Sequence, residues 1–175
     1  LVTRPDISFD VNLLSSEVSK GTVKTVKEIN RVISVAKSRT NRLRFVKLGD
    51  LSKLKVKVYA DASFANVDNA TRSTSGRVIL LENSENKLSN IICWKSKKIN
   101  RVCRSAKAAE TRALDDALDE GIHIARILKE IYEGKIDLKE PAQISVEAMT
   151  DNKSLWESIY NTRQCEERML RSTIA

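Results

Sequence analysis

The hydrophobic periodicity of this chain changes at residue 54, and that change limits the folds open to it more than any other feature. LKVKVYAD, GRVILLE and NIICWKS alternate apolar and polar residues with a period of two, separated only by the short polar stretches NATRSTSG and NSENKLS. Three consecutive strands with short turns predict an antiparallel meander. A helical stretch from about residue 108 to 132 follows, closed by Gly134, then a loop carrying Pro141, a fourth strand in QISVEAMTD and a helix in NKSLWESIYN. A strand reached through a helix returns parallel to an earlier strand by a right-handed crossover. The expected class is α/β, a mixed sheet with helices packed on it.

Upstream of residue 54 the period is helical. Ile7, Val11, Leu14 and Val18 recur on one side of a short helix that starts near Pro5 and is broken by Gly21. A second helix follows, with Val23, Val26, Ile29, Val32, Ile33 and Ala36 on one side and Lys24, Lys27, Arg31 and Lys37 largely on the other. RTNRLRFVKLGDLS, closed by Gly49 and Asp50, is the expected boundary between this helical piece and the strands.

Charge separates the same two parts. The 175-residue chain carries a net charge of +8. Residues 1 to 57 hold 13 Lys and Arg against 5 Asp and Glu, so the whole excess is N-terminal. One local basic run remains beyond it, WKSKKINRVCRSAK, with Lys95, Lys97, Lys98, Arg101, Arg104 and Lys107 and no acid. Such a run is either a solvated face or a contact for a polyanion, nucleic acid above all.

Several function classes are poorly supplied. No apolar run approaches the roughly 20 residues that cross a bilayer, so no membrane partner is expected. Cys93, Cys103 and Cys165 lack CxxC spacing, which fits a reducing compartment and argues against a disulfide framework or zinc knuckle. His123 falls on the polar face of its helix, away from any candidate nucleophile or base. Neither GxGxxG nor GxxxxGK[ST] occurs. Trp94 and Trp156 lie within a strand and a helix pattern and are expected in the core. The opening LVTRPDISFD reads like the middle of a longer sequence.

Three carboxylates stand out. The first strand is expected to end at Ala60, placing Asp61 just beyond it among small residues. The fourth ends in Thr-Asp-Asn, placing Asp151 likewise. On a helical wheel Leu114, Ala117, Leu118, Gly121, Ala125, Leu128 and Tyr132 fall within roughly 80° of Glu110, so this carboxylate occupies an apolar stripe. A carboxylate turned toward a sheet costs several kcal/mol unless it is paired, protonated or cation-bound. Near a helix start it also favours the dipole and can reach water, so both readings stay open at this point. If the two Asp-ending strands are adjacent and parallel, all three acids converge in one crevice. Such a cluster repels itself and suits hard divalent cations, Mg²⁺ or Mn²⁺. Carboxylate-bridged metal pairs about 3.5–4 Å apart activate a water and stabilise the leaving oxygen of a phosphodiester.

YADASFAN, RSTSGRVILL, WKSKK, RVCRSAKAAETRAL and TDNKSLWESI, in that order and spacing, resemble the ribonuclease H domain of copia-type LTR retrotransposon Pol polyproteins over roughly residues 54 to 175. TRPDISFDVNLLSS and the basic helix after it resemble the end of the reverse transcriptase of the same polyproteins. The resemblance implies a ribonuclease H-like mixed sheet in residues 51–175, truncated at its C-terminus, preceded by a helical segment in residues 1–50. It implies Asp61, Glu110 and Asp151 as catalytic, metal-binding acids holding two Mg²⁺ or Mn²⁺ ions. It implies Lys95, Lys97, Lys98, Arg101, Arg104 and Ser105 as contacts to an RNA:DNA hybrid whose RNA strand is cut during reverse transcription. The remaining polyprotein becomes a partner, and the location intracellular, either cytoplasmic in a virus-like particle or nuclear. Three departures accompany it. Ala106 and Lys107 replace a hydroxyl and an apolar residue of the family's RSTLAAE-like pattern, and Thr173 stands where an Asp is expected. The sequence also stops at Ala175, before the family's fourth acid, so a degenerate relic that binds nucleic acid or protein is the alternative.

Overall fold

The computed structural model describes residues 4–39, 42–67, 72–134 and 144–160. Cys165, Thr173, the Pro141 loop and the expected C-terminal truncation lie outside the described residues. The sheet consists of β1 (Leu54–Val67), β2 (Arg72–Asn83), β3 (Ser89–Lys98) and β4 (Ser145–Met149), in the order β3-β2-β1-β4. β1 pairs antiparallel with β2, β2 antiparallel with β3, and β4 joins β1 in parallel. The mixed sheet, three antiparallel strands and then a parallel one, is the one the sequence predicts.

Two strands are longer than expected. β1 does not stop at Ala60 but continues to Val67, because its ladder with β2 persists through Ser63↔Thr74 and resumes at Val67↔Arg72 after a register shift. Arg72 to Gly76, read from sequence as turn, are therefore strand. The element that ends near Asp61 is β4, whose last pair is Tyr59↔Met149.

The crossover helix α3 (Ala106–Glu133) lies across one face of the sheet. Ser105 caps its start by accepting the Ala108 N–H at 3.0 Å, and Gly134 ends it in the left-handed conformation, φ 69°. Its buried line is Ala109, Ala113, Ala117, Gly121 and Ala125, a ladder of small residues at i, i+4 spacing. Small side chains let the helix axis come close to Val56, Val58 and Ile79, all with no exposed surface. At Gly121 the approach is so close that a Cβ would fall 2.5 Å from Val58 Cγ2 and 3.3 Å from Val146 Cγ1. Under the same helix an ion pair joins Arg77 of β2 to Glu120. On the opposite face, Lys57 and Lys55 reach Glu82 at 2.9 and 3.7 Å, and Lys55 also reaches Glu147 at 2.9 Å.

The N-terminal segment forms α1 (Ser8–Glu17) and α2 (Val23–Ser38). Thr22 and Thr25 make a reciprocal capping box at the start of α2. Arg4 donates to the Ala36 carbonyl at 2.8 Å and ties the two helices together. The expected apolar side of α2 is only partly covered: Val32 is buried, whereas Val23, Val26 and Ile33 are exposed. The connection to the sheet is fastened by Asn90, which exchanges hydrogen bonds of 2.9 and 2.8 Å with the Val46 backbone, and by Asn83, which donates to the Leu48 carbonyl at 2.6 Å. Trp156 is not a core residue. It lies 51% exposed on α4 (Lys153–Tyr160), stacked on Tyr160 at a centroid distance of 4.9 Å. Leu155 takes the buried face of this helix. His123 is exposed, as its wheel position predicts. No helix among the described residues is long and apolar enough to cross a membrane.

Candidate metal centre

The parallel pairing fixes two of the three acids. Tyr59 is level with Met149, so Asp61 and Asp151 each lie two residues beyond the last pair on neighbouring strands. β4 ends there and turns: the Asn152 N–H donates to Thr150 Oγ1 at 3.1 Å, and Asn152 Oδ1 accepts the Leu155 N–H at 2.9 Å, capping α4. Asp151 is thereby held at a strand-to-helix turn. Past Tyr59 the edge of β1 on the β4 side has no strand partner among the described residues, and the Ala62 N–H is donated to the Glu110 carboxylate. Asp61, Glu110 and Asp151 come together so that one oxygen of each lies within 4.8 Å of the others.

Glu110 sits at the border of the buried helix stripe, not in its middle. The wheel weighted Leu114 and Leu118, whereas the closest approach to the sheet is made by the alanine and glycine ladder one residue away. Burial pushes the Glu110 carboxyl up to about 7, and the neighbouring charges of Asp61 and Asp151 push the same way, against the lowering effect of the Ala62 N–H. Asp61 and Asp151 are exposed. Three carboxylates this close, with one held partly protonated at neutral pH, form an all-oxygen donor set that fits a hard divalent cation.

A pH dependence follows. The Glu110 carboxyl has an ordinary value of 4.5 and a folded value of about 7. Between those values the folded state holds a proton that the unfolded chain has lost, so stability of the metal-free protein falls as pH rises from about 4.5 to 7 and levels above. Glu110→Gln should flatten this fall in thermal melts. Mn²⁺ affinity should change in the opposite sense, rising through about pH 7 as the proton leaves, which a titration at several pH values would read.

The sheet register also locates the basic run. Asp61 pairs with Gly76, and Gly76 with Ser96, so Lys95, Lys97 and Lys98 lie at the same end of the sheet, two strand spacings or about 10 Å across it. Their roles differ. Lys95, Arg101 and Arg104 are exposed, whereas Lys97 reaches Asp116 of α3 at 3.5 Å. The Ser105 hydroxyl is occupied as the cap of α3. Lys107 donates to Ser158 Oγ at 2.6 Å and links α3 to α4.

An antiparallel three-stranded meander, a helix crossing to a parallel fourth strand beside the first, and three acids level with that strand's end define a mixed α/β domain with a candidate cation site. Its homologues are retrovirus-related Pol polyproteins of plant transposons. The chain is 31% identical over 129 residues to the Pol polyprotein from transposon RE1 of Arabidopsis thaliana and 30% identical over 129 residues to that of transposon RE2. Each alignment covers 74% of this chain and 8% of the polyprotein, so the chain spans under a tenth of these relatives. An uncharacterized mitochondrial protein of the same plant is 31% identical over 113 residues, 65% of this chain and 44% of that protein. Among solved structures, the N-terminal RNase H domain of a Mycobacterium tuberculosis protein, fused to maltose-binding protein, superposes over 69% of both chains with a TM-score of 0.40 and 15% identity. No family model matches the sequence.

Proposed function

We propose that this chain is the ribonuclease H of a copia-type retrotransposon Pol polyprotein, hydrolysing the RNA strand of RNA:DNA hybrids with two Mg²⁺ or Mn²⁺ ions. The convergence of Asp61, Glu110 and Asp151 within 4.8 Å carries this reading. Bound ions would supply water activation and charge neutralisation at the phosphodiester. Asp61 and Asp151 act as ligands. Glu110 would be a third ligand that also aligns the attacking water. Residues 51–175 form the nuclease domain, residues 1–50 the end of the adjoining reverse transcriptase, and the rest of the polyprotein is the partner. An intracellular location, in a virus-like particle or the nucleus, accompanies this reading.

In this reading Lys95, Arg101 and Arg104, all exposed, hold the hybrid backbone. Affinity for hybrid should fall with salt, and Lys95→Ala and Arg104→Ala should each reduce the slope of log affinity against log salt by about one. A slope unchanged in both variants would remove these residues from the interface.

One observation favours a second reading. Among the described residues the cluster contains three acids and no fourth, so the site can bind ions and hybrid without cutting. Incubation with a hybrid labelled on its RNA strand, with Mg²⁺ or Mn²⁺ and beside Asp61→Asn, separates the two. Cleavage lost in the variant supports the nuclease; bound but intact hybrid supports the incomplete module.

A further inference from the structure

The cleft that contains Asp61 and Asp151 is walled on its far side by the N-terminal helical segment. It has a volume of about 650 Å³, and Pro5, Ser8 and Phe9 line it together with Tyr59, Trp94 and Lys95. Tyr59, Val78 and Trp94 form one cross-strand row, Tyr59 opposite Val78 and Val78 opposite Trp94. A short side chain between two aromatic ones leaves a notch on the open face of the sheet, with the rings' backbones about 10 Å apart. Phe9 stands over this notch from the first turn of α1, 49% exposed. The segment is seated there by the packing of α1 against β3 and the burial of Ile7, and Arg31 of α2 reaches Asp10 of α1 at 3.6 Å.

Two features describe what the cleft would take. Its volume suits a ligand of one or two nucleotides and not a duplex. Its aromatic lining is a stacking platform that any base can use.

We propose that α1 and the sheet face together form a binding site for an unpaired nucleotide flanking the hybrid, stacked against Phe9 and seated between Tyr59 and Trp94. This rests on the nucleic-acid reading of the adjoining metal centre but not on cleavage. The N-terminal segment is then part of the substrate site, and the protein prefers hybrids that carry a single-stranded overhang to blunt ones.

The test is fluorescence anisotropy with a labelled RNA:DNA hybrid, blunt or with an overhang, in Ca²⁺ to prevent cleavage. The wild-type protein should bind the overhang hybrid about tenfold more tightly, the change that one base stack gives. Phe9→Leu, which keeps an apolar side chain without a ring, should erase that preference while leaving blunt-hybrid affinity and Mn²⁺ affinity unchanged. Phe9→Tyr should keep the preference. Equal affinity of the wild-type protein for both hybrids overturns the site, as does a preference that Phe9→Leu retains. Equal loss in Phe9→Leu and Phe9→Tyr also overturns it, since it would mark Phe9 as a determinant of helix placement alone. Failure of the wild-type protein to bind either hybrid would overturn the nucleic-acid reading with it.

Discussion

Asp61→Asn is expected to weaken Mn²⁺ binding by more than about 100-fold and to reduce RNA cleavage by about a thousandfold or more. Loss of an outer hydrogen-bond partner of a metal ligand already costs about 10–100-fold in affinity, and Asp61 is proposed as a ligand itself. Charge stabilisation by bound ions contributes several kcal/mol at the transition state, and each 1.36 kcal/mol is about tenfold in rate. The fold should survive, because Asp61 is exposed and its backbone stays in the β1–β2 ladder. Removing its charge also relieves the repulsion felt by Glu110, so the metal-free variant should melt no lower than the parent at neutral pH. Calorimetric Mn²⁺ titration and a melting curve check both statements. Undiminished Mn²⁺ affinity in Asp61→Asn would exclude this carboxylate as a ligand.

Gly121→Leu is expected to be the most damaging single change in the helix–sheet layer. The Cβ position already lies 2.5 Å from Val58 Cγ2, and Val58 has no exposed surface through which to move away. Leu has the higher helix propensity by nearly 1 kcal/mol, so local preference opposes the predicted effect. Overpacking of a tight core costs typically about 1–3 kcal/mol and occasionally more, and a whole isobutyl group belongs at the upper end. The net loss should be about 3 kcal/mol, which for a domain of this size lowers the melting temperature by roughly 10 °C. α3 would be lifted off β1 and β4, and Glu110, three turns away on the same helix, would lose its register with Asp61 and Asp151. Mn²⁺ affinity should fall with stability in this variant. A melting temperature within about 2 °C of the parent would show that the interface repacks without cost.

The acids were legible in the sequence because each broke a local pattern: Asp61 and Asp151 interrupt period-two stretches, and Glu110 is a charge on an otherwise apolar helix face. Their convergence followed from one topological rule, the parallel return of a strand after a helix. The errors have physical causes. The extension of β1 past Asp61 depends on a partner strand, β2, whose Arg72–Gly76 stretch looks like a turn because it is rich in Ser, Thr and Gly. The true centre of the α3 stripe was hidden because alanine and glycine contribute little hydrophobicity yet decide how closely a helix approaches a sheet. Two structural roles were also out of reach of the sequence: Ser105 caps α3 and Lys97 reaches Asp116, and both depend on where the helix packs. No periodicity in residues 5–9 could have told that they wall the cleft, since that depends on where the N-terminal segment docks.

The most direct test is a crystal structure of the protein soaked in Mn²⁺, read in an anomalous difference map. Two peaks in contact with the carboxylates of Asp61, Glu110 and Asp151 are predicted. A map with no peak at these three side chains, at a concentration where Mn²⁺ occupies other sites in the same crystal, would contradict the metal centre and the nuclease mechanism built on it.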